Sequence, residues 1–221
     1  MKRLPRVKIC CIASTQEAEM AVQHGASALG LVSKMPSGPG PIAEDLIAEI
    51  AKSIPPAVGS FLLTSEQSVG QIIAQQRRCG VNTLQVVDRL ETGEYYDLRS
   101  ALPGISLVQV IHVTGEESFD EACNIAIRGV NALLLDSGNQ SLAIKELGGT
   151  GRVHDWSISR RIVAAVKIPV FLAGGLNAGN VADAIRAVHP FGIDVCSGVR
   201  TADKLDEAKL TAFMAAVASA G

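Results

Sequence analysis

No excess of either charge marks this chain. Its 20 Lys+Arg stand against 22 Asp+Glu, a formal net charge of −2, and the basic residues are scattered rather than massed on one segment. That balance argues against a nucleic-acid partner or an anionic membrane surface, so any attraction for phosphate has to be local. No window approaches the ~20 apolar residues that span a bilayer. The start M-K-R-L-P-R-V-K is positively charged, but Lys8 interrupts the apolar stretch behind it, so no signal-peptide core is expected there. Cysteine is sparse: residues 10, 11, 79, 123 and 196 form an odd set without metal-ligand spacing. The vicinal pair Cys10-Cys11 is a poor geometric candidate for a bridge, which leaves reduced thiols in a cytoplasm as the expectation. Also missing is a G-x-G-x-x-G turn after the first strand-like run, where K-I-C-C-I-A-S stands instead. That weakens the case for a doubly wound dinucleotide fold.

What the chain does contain is apolar material, 48% against 19% charged, with no sign of disorder. Strand-like runs occur at 6–12, 27–33, 57–63, 82–87, 105–112, 130–136, 168–174 and 192–197, each separated from the next by a plausible helix. Helices are expected at 15–24, ending at Gly25, at 41–53, opening on Pro41, and at 156–166, capped by Asp155. Eight units in 221 residues is about 28 residues each, close to the ~30 of a βαβ step. Runs such as A-L-L-L at 132–135 are apolar throughout, as parallel strands covered on both faces require. The predicted architecture is an α/β (β/α)8 TIM barrel filling a single domain, residues 1–221.

Two segments near the C-terminal end give the first indication of function. I-P-V-F-L-A-G-G-L-N at 168–177 and G-I-D-V-C-S-G-V at 192–199 each run apolar into a glycine-containing turn, with Asn177 and Asp203 as candidate caps for the helices that follow. Bare backbone amides at Gly174, Gly175 and Gly198 can approach a phosphate closely, and a nearby helix start favours the negative charge. Two such turns in succession suit the phosphate site of a barrel, so a phosphorylated small molecule is the expected ligand.

Residues at the C-terminal ends of the strands are the candidates for chemistry. Cys10 ends the first and Asp136 the sixth, and a thiol and a carboxyl group facing one mouth form a candidate acid/base pair. Lys8 lies two residues before Cys10 on the same side of its strand. Buried there, it needs a carboxylate, and Asp194 in the eighth strand is the natural partner because closure sets that strand beside the first. His112 ends the fifth strand and Gln85 sits inside the fourth, each able to offer a hydrogen bond. The long connections at 34–41 and 137–154 follow strand C-termini and are candidate lids.

Six ordered segments carry a family resemblance: V-K-I-C at 7–10, G-A-S-A-L-G-L-V at 25–32, L-L-L-D at 133–136, G-G-T-G-R-V-H-D-W at 148–156, L-A-G-G-L-N-A-G-N-V at 172–181 and P-F-G-I-D-V-C-S-G-V at 190–199. Together they resemble phosphoribosylanthranilate isomerase of tryptophan biosynthesis. The resemblance implies Cys10 as general base and Asp136 as general acid. It places phosphate at Gly174 and Gly175 and around Ser197 and Gly198. Gln85, His112, Asp194 and Arg152 are weaker candidates for substrate contacts. It implies an Amadori rearrangement without cofactor or metal, in a monomer or homodimer. Three departures stand out. Cys11 occupies a position where the family usually has glycine, S-G-P-G replaces an S-P-R-type segment whose arginine receives the anthranilate carboxylate, and L-Q-V-V-D-R at 84–89 replaces L-Q-L-H-G. Arg89 or Arg152 can supply the missing guanidinium. A paralogous phosphosugar isomerase or lyase with another amine substituent, and a non-catalytic phosphometabolite-binding barrel, are the alternatives.

Overall fold

The computed structural model describes residues 4–138 and 153–220. Strands and helices alternate as β1 (Arg6–Ile9), α1 (Thr15–Gln23), β2 (Ala28–Val32), α2 (Glu44–Ser53), β3 (Gly59–Thr64), α3 (Val69–Cys79), β4 (Thr83–Val86), α4 (Tyr95–Ala101), β5 (Ser106–His112), α5 (Glu117–Ala126), β6 (Ala132–Asp136), α6 (Trp156–Ala165), β7 (Val170–Leu172), α7 (Val181–Val188) and β8 (Gly192–Val195). A short 3₁₀ turn (Ser197–Val199), a hairpin of β9 (Arg200–Thr201) and β10 (Lys204–Leu205), and α8 (Glu207–Ala218) complete the chain. The eight main strands are parallel and hydrogen-bond in sequence order, and β8 returns to β1 to close a barrel. No described helix is long and apolar enough to cross a membrane.

Closure separates the apolar residues into two sets. Alternate strand residues such as Ile9, Leu29, Leu62, Leu133 and Leu172 pack outward against the helices in the larger core, while Ala28, Val32, Leu63, Val110 and Leu134 fill the barrel. Both faces of each strand are therefore dry, which is why the runs read as continuously apolar. Inside, Phe61 and Phe171 meet edge to face at 6.0 Å between ring centroids, below the mouth.

Helix entry follows ordinary capping chemistry at three places. Ser14 accepts from the Glu17 amide, Asp155 from that of Ser157, and Asp206 from that of Lys209. The caps expected at Asn177 and Asp203 are corrected here. Asn177 accepts from the Gly179 amide in a turn, and α7 begins four residues later. Asp203 takes a left-handed φ of 60° at the tip of the β9–β10 hairpin. Asparagine and aspartate satisfy turn amides and helix amides equally well, so a local pattern does not separate the two uses. Helix α2 likewise starts at Glu44 rather than at Pro41, which instead bridges to Val32.

The ends of the chain are clasped together by a buried ion pair. Arg200 Nη2 lies 2.8 Å from Glu17 Oε2, and Glu17 also accepts from the amides of Ala13 and Leu205 at 3.0 and 2.8 Å. Burial alone would raise the Glu17 pKa, but Arg200 and the two amides outweigh it and hold the carboxyl below its usual 4.5. A carboxylate with a depressed native pKa contributes stability that is complete above its unfolded value and lost as pH falls through the native one. The expected result is an acid limb of the denaturation midpoint that begins below about pH 4.5 and is flattened in Glu17→Gln. An identical acid limb in the variant would contradict this.

Candidate active site

The mouth of the barrel, at the C-terminal ends of the strands, opens into a cavity. Cys10 and Asp136 both line it, from the ends of β1 and β6, three strands apart in the closed ring, together with Gln85, Gly174, Gly175 and Ser197. These six expected site residues therefore share one cavity, along with Asp194.

Cys10 lies immediately above an ion pair. Lys8 is fully buried, with Nζ 2.9 Å from Asp194 Oδ1, 3.5 Å from Cys10 Sγ and 5.4 Å from the centre of the Phe61 ring. Register between β1 and β8 sets Lys8 opposite Asp194. Burial works against the ammonium, but the carboxylate beside it prevails and keeps the Lys8 pKa above its ordinary value. Asp194 is pushed upward by its own burial, with Lys8 opposing. Burial dominates at Cys10 as well and lifts the thiol to about 11, although the Lys8 ammonium pulls it down. Room for this cluster comes from Gly30 on β2, where a methyl group would sit 2.7 Å from Cys10 Sγ and 2.9 Å from Lys8 Nζ.

On the adjoining part of the rim, the turns after β7 and β8 press against each other. Gly174 and Gly175 have φ of 87° and 62°, the left-handed region open to glycine. Gly198, in the 3₁₀ turn, faces the backbone of Leu176 and Asn177 so closely that any side chain would strike the Leu176 carbonyl. What demands glycine at 198 is thus the neighbouring turn.

The weaker candidates divide. Gln85 is buried on β4 and lines the cavity, with its Oε1 enclosed and without a hydrogen-bond partner. His112 is paired in register with Asp136, but its Nε2 is engaged with the Val87 carbonyl at 2.9 Å and it does not reach the cavity wall. Arg89 is corrected: it is exposed, pairs with Glu121 at 3.0 Å and lines a separate groove, so it cannot replace the missing guanidinium. Arg152 and most of the connection at 137–154 lie outside the described residues. The connection at 34–41 does reach the site, through Met35, Ser37, Gly38 and Pro39.

Two features escaped the sequence reading. His154 packs beside Gly174 and Ser137, with Nε2 2.7 Å from Ser159 Oγ, and burial lowers its pKa so that it is held neutral near the Asp136 carboxylate. Its only signal was its place in the segment G-G-T-G-R-V-H-D-W. The second corrects the expectation of five reduced thiols. Cys11 and Cys196 are joined as a disulfide, with Cα atoms 6.0 Å apart, while Cys10, Cys79 and Cys123 are free. The vicinal bond remains absent, but barrel closure supplies Cys11 with a different partner.

Comparison with known proteins agrees with this geometry. Residues 7–216 match the family model described as N-(5′-phosphoribosyl)anthranilate (PRA) isomerase. The chain belongs to that family. Among relatives of the phosphoribosylanthranilate isomerase family, N-(5′-phosphoribosyl)anthranilate isomerase 2 of Methanosarcina mazei is 35% identical over 211 residues, 95% of this chain and 92% of the relative. The crystal structure of phosphoribosyl anthranilate isomerase from Thermotoga maritima superposes with a TM-score of 0.79 at 27% identity, covering 97% of this chain and 99% of that one. A family structure in complex with reduced 1-(o-carboxyphenylamino)-1-deoxyribulose 5-phosphate gives a TM-score of 0.77 at 25% identity, over 97% of this chain and 99% of that one.

Proposed function

We propose that this barrel isomerises N-(5′-phosphoribosyl)anthranilate to 1-(2-carboxyphenylamino)-1-deoxyribulose 5-phosphate. The observation that carries the reading is a thiol on β1 and a carboxyl group on β6 facing one cavity whose rim is built from two glycine turns. In this reading the phosphate rests on the backbone amides of Gly174, Gly175, Ser197 and Gly198, and so fixes the sugar between the two reacting side chains.

Asp136 then donates a proton to the furanose ring oxygen, the C1–O bond breaks, and the nitrogen lone pair forms an iminium. Cys10, as thiolate, removes the proton from C2; the electron pair moves into a C1–C2 double bond and neutralises the nitrogen. The resulting enolamine tautomerises to the 2-ketone. The two proton transfers involve different atoms of the sugar, which suits groups approaching from different strands. Lys8 acts through Cys10: its ammonium, 3.5 Å from the sulfur, opposes the cost of forming a buried thiolate, and Asp194 holds it there. The Gln85 side-chain amide, at the cavity wall, can hydrogen-bond a sugar hydroxyl.

The test is a fluorescence assay with freshly generated phosphoribosylanthranilate and no added cofactor. Steady loss of the anthranilate signal with formation of the ketose is expected. A second reading is favoured by one observation: no lysine or arginine is among the described residues lining the cavity, so an uncharged amine substituent would meet no electrostatic deficit. Turnover of such an analogue with none of phosphoribosylanthranilate would select it over the first.

A further inference from the structure

The Cys11–Cys196 bridge occupies the junction of the two halves of the candidate site. Cys11 directly follows the thiol assigned as base, and Cys196 directly precedes Ser197 of the phosphate rim; the two are 185 residues apart in sequence. Both line the mouth cavity. Cys11 holds a φ of 63°, a left-handed conformation that a cysteine adopts only under constraint. Part of the constraint is visible: Arg200 Nη2 donates to the Cys11 carbonyl, and Arg200 is itself held by Glu17. Gly40, in the connection after β2, lies so close that a methyl group there would be 2.7 Å from Cys11 Cβ. Three turns of the barrel mouth, after β1, β2 and β8, therefore converge on this one crosslink.

We propose that the Cys11–Cys196 pair is a reversible thiol–disulfide lock that holds the phosphate-side turn after β8 against the end of β1, and that opening it loosens the grip on the phosphate group of the ligand. The inference rests on the phosphate placement given under Proposed function. Access favours exchange from one side: Cys11 is buried, at 5% exposure, whereas Cys196 is half-buried at the cavity wall. A small-molecule thiolate attacks Cys196 Sγ and forms a mixed disulfide, and Cys11 leaves as thiolate. A second small thiolate attacks the outer sulfur of that mixed disulfide and releases Cys196 as thiolate together with the oxidised small molecule. Two thiols are oxidised as one protein disulfide is reduced. Glutathione disulfide drives the same steps in reverse, consuming one such molecule and releasing two thiols. Cys10 is not a member of the bridge, its sulfur lying beside Lys8 Nζ. A bridge of this kind, in a chain whose other thiols are free, fits redox sensing better than static bracing.

The experiment uses the intact chain and ribose 5-phosphate as probe. Differential alkylation read by mass spectrometry measures how much Cys11–Cys196 is closed after equilibration with glutathione disulfide or with dithiothreitol, and calorimetry gives the affinity in each state. Closure in the first condition, opening in the second and at least fivefold weaker binding when open are expected, with recovery on reoxidation. Cys196→Ser, which cannot form the bridge and keeps Cys10, should bind with the weaker affinity under both conditions. Equal affinity in the closed and open states overturns the lock, as does a pair that stays fully alkylatable in glutathione disulfide or a protein that binds no ribose 5-phosphate in either state. Failure of the isomerase reading is separate: no turnover of phosphoribosylanthranilate in either state, with ribose 5-phosphate binding still responding to the bridge, removes the activity and leaves the lock.

Discussion

Cys10→Ala should lower kcat/KM for phosphoribosylanthranilate by about a thousandfold, within the ~10²–10⁴ that a positioned general base contributes. The substitution removes one sulfur from a site already open to the cavity, so the fold and its denaturation midpoint should change little. Asp136→Asn removes the transferable proton while keeping the shape and should cost a similar factor. Because the two groups act on one reaction coordinate, the double variant should be scarcely slower than the worse single one. The pH profile gives an independent reading. Burial holds the Cys10 thiol at about 11, and the reaction needs Cys10 without its proton while Asp136 keeps one, so the wild-type profile of kcat/KM should carry an inflection near that value, where the thiol titrates. That inflection should vanish in Cys10→Ala. Steady-state rates within tenfold of wild type in both single variants, or a wild-type profile without that inflection, would remove the assignment.

Lys8→Met carries the largest expected effect on stability. The change leaves Asp194 buried with its partner gone, and breaking a buried pair in this way costs about 3–5 kcal/mol. For a chain of this size that is a fall in denaturation midpoint of roughly 6–20 °C. The double variant Lys8→Met/Asp194→Leu removes both charges and should recover most of the loss, since apolar replacement of a buried pair is often neutral. If the double variant is no more stable than the single one, the cost lies in packing around Phe61 and not in the orphaned carboxylate. Where the single variant folds, the Cys10 inflection of its pH profile should shift to higher pH, because the charge that favours the thiolate has gone. A purely structural lysine would leave that inflection in place.

The barrel was legible because its strands are dry on both faces: each predicted run contains the observed strand to within one residue at its inner limits, and A-L-L-L at 132–135 falls within β6. Lys8 and Asp194 were legible for a topological reason, since a closed ring must set the first strand beside the last. The same argument did not reach Cys11 and Cys196. A left-handed residue just past the end of a strand no longer obeys the alternation of sides, so its direction was invisible to a count of twos. Arg89 failed for the opposite reason. It follows β4 closely, as a site residue should, but its long side chain turns outward to Glu121 on α5. Charge type and sequence position bring such a residue near a mouth; only its partner decides which way it faces.

The seam between β1 and β8 also has a temporal meaning. Lys8 waits for Asp194, Glu17 for Arg200 and Cys11 for Cys196, so three ties beside the proposed base join the earliest part of the polypeptide to its latest. A growing chain on the ribosome consequently has no competent centre until translation is nearly finished. A product truncated before β8 would lack Asp194, Cys196 and Arg200 and would leave Lys8 without its carboxylate.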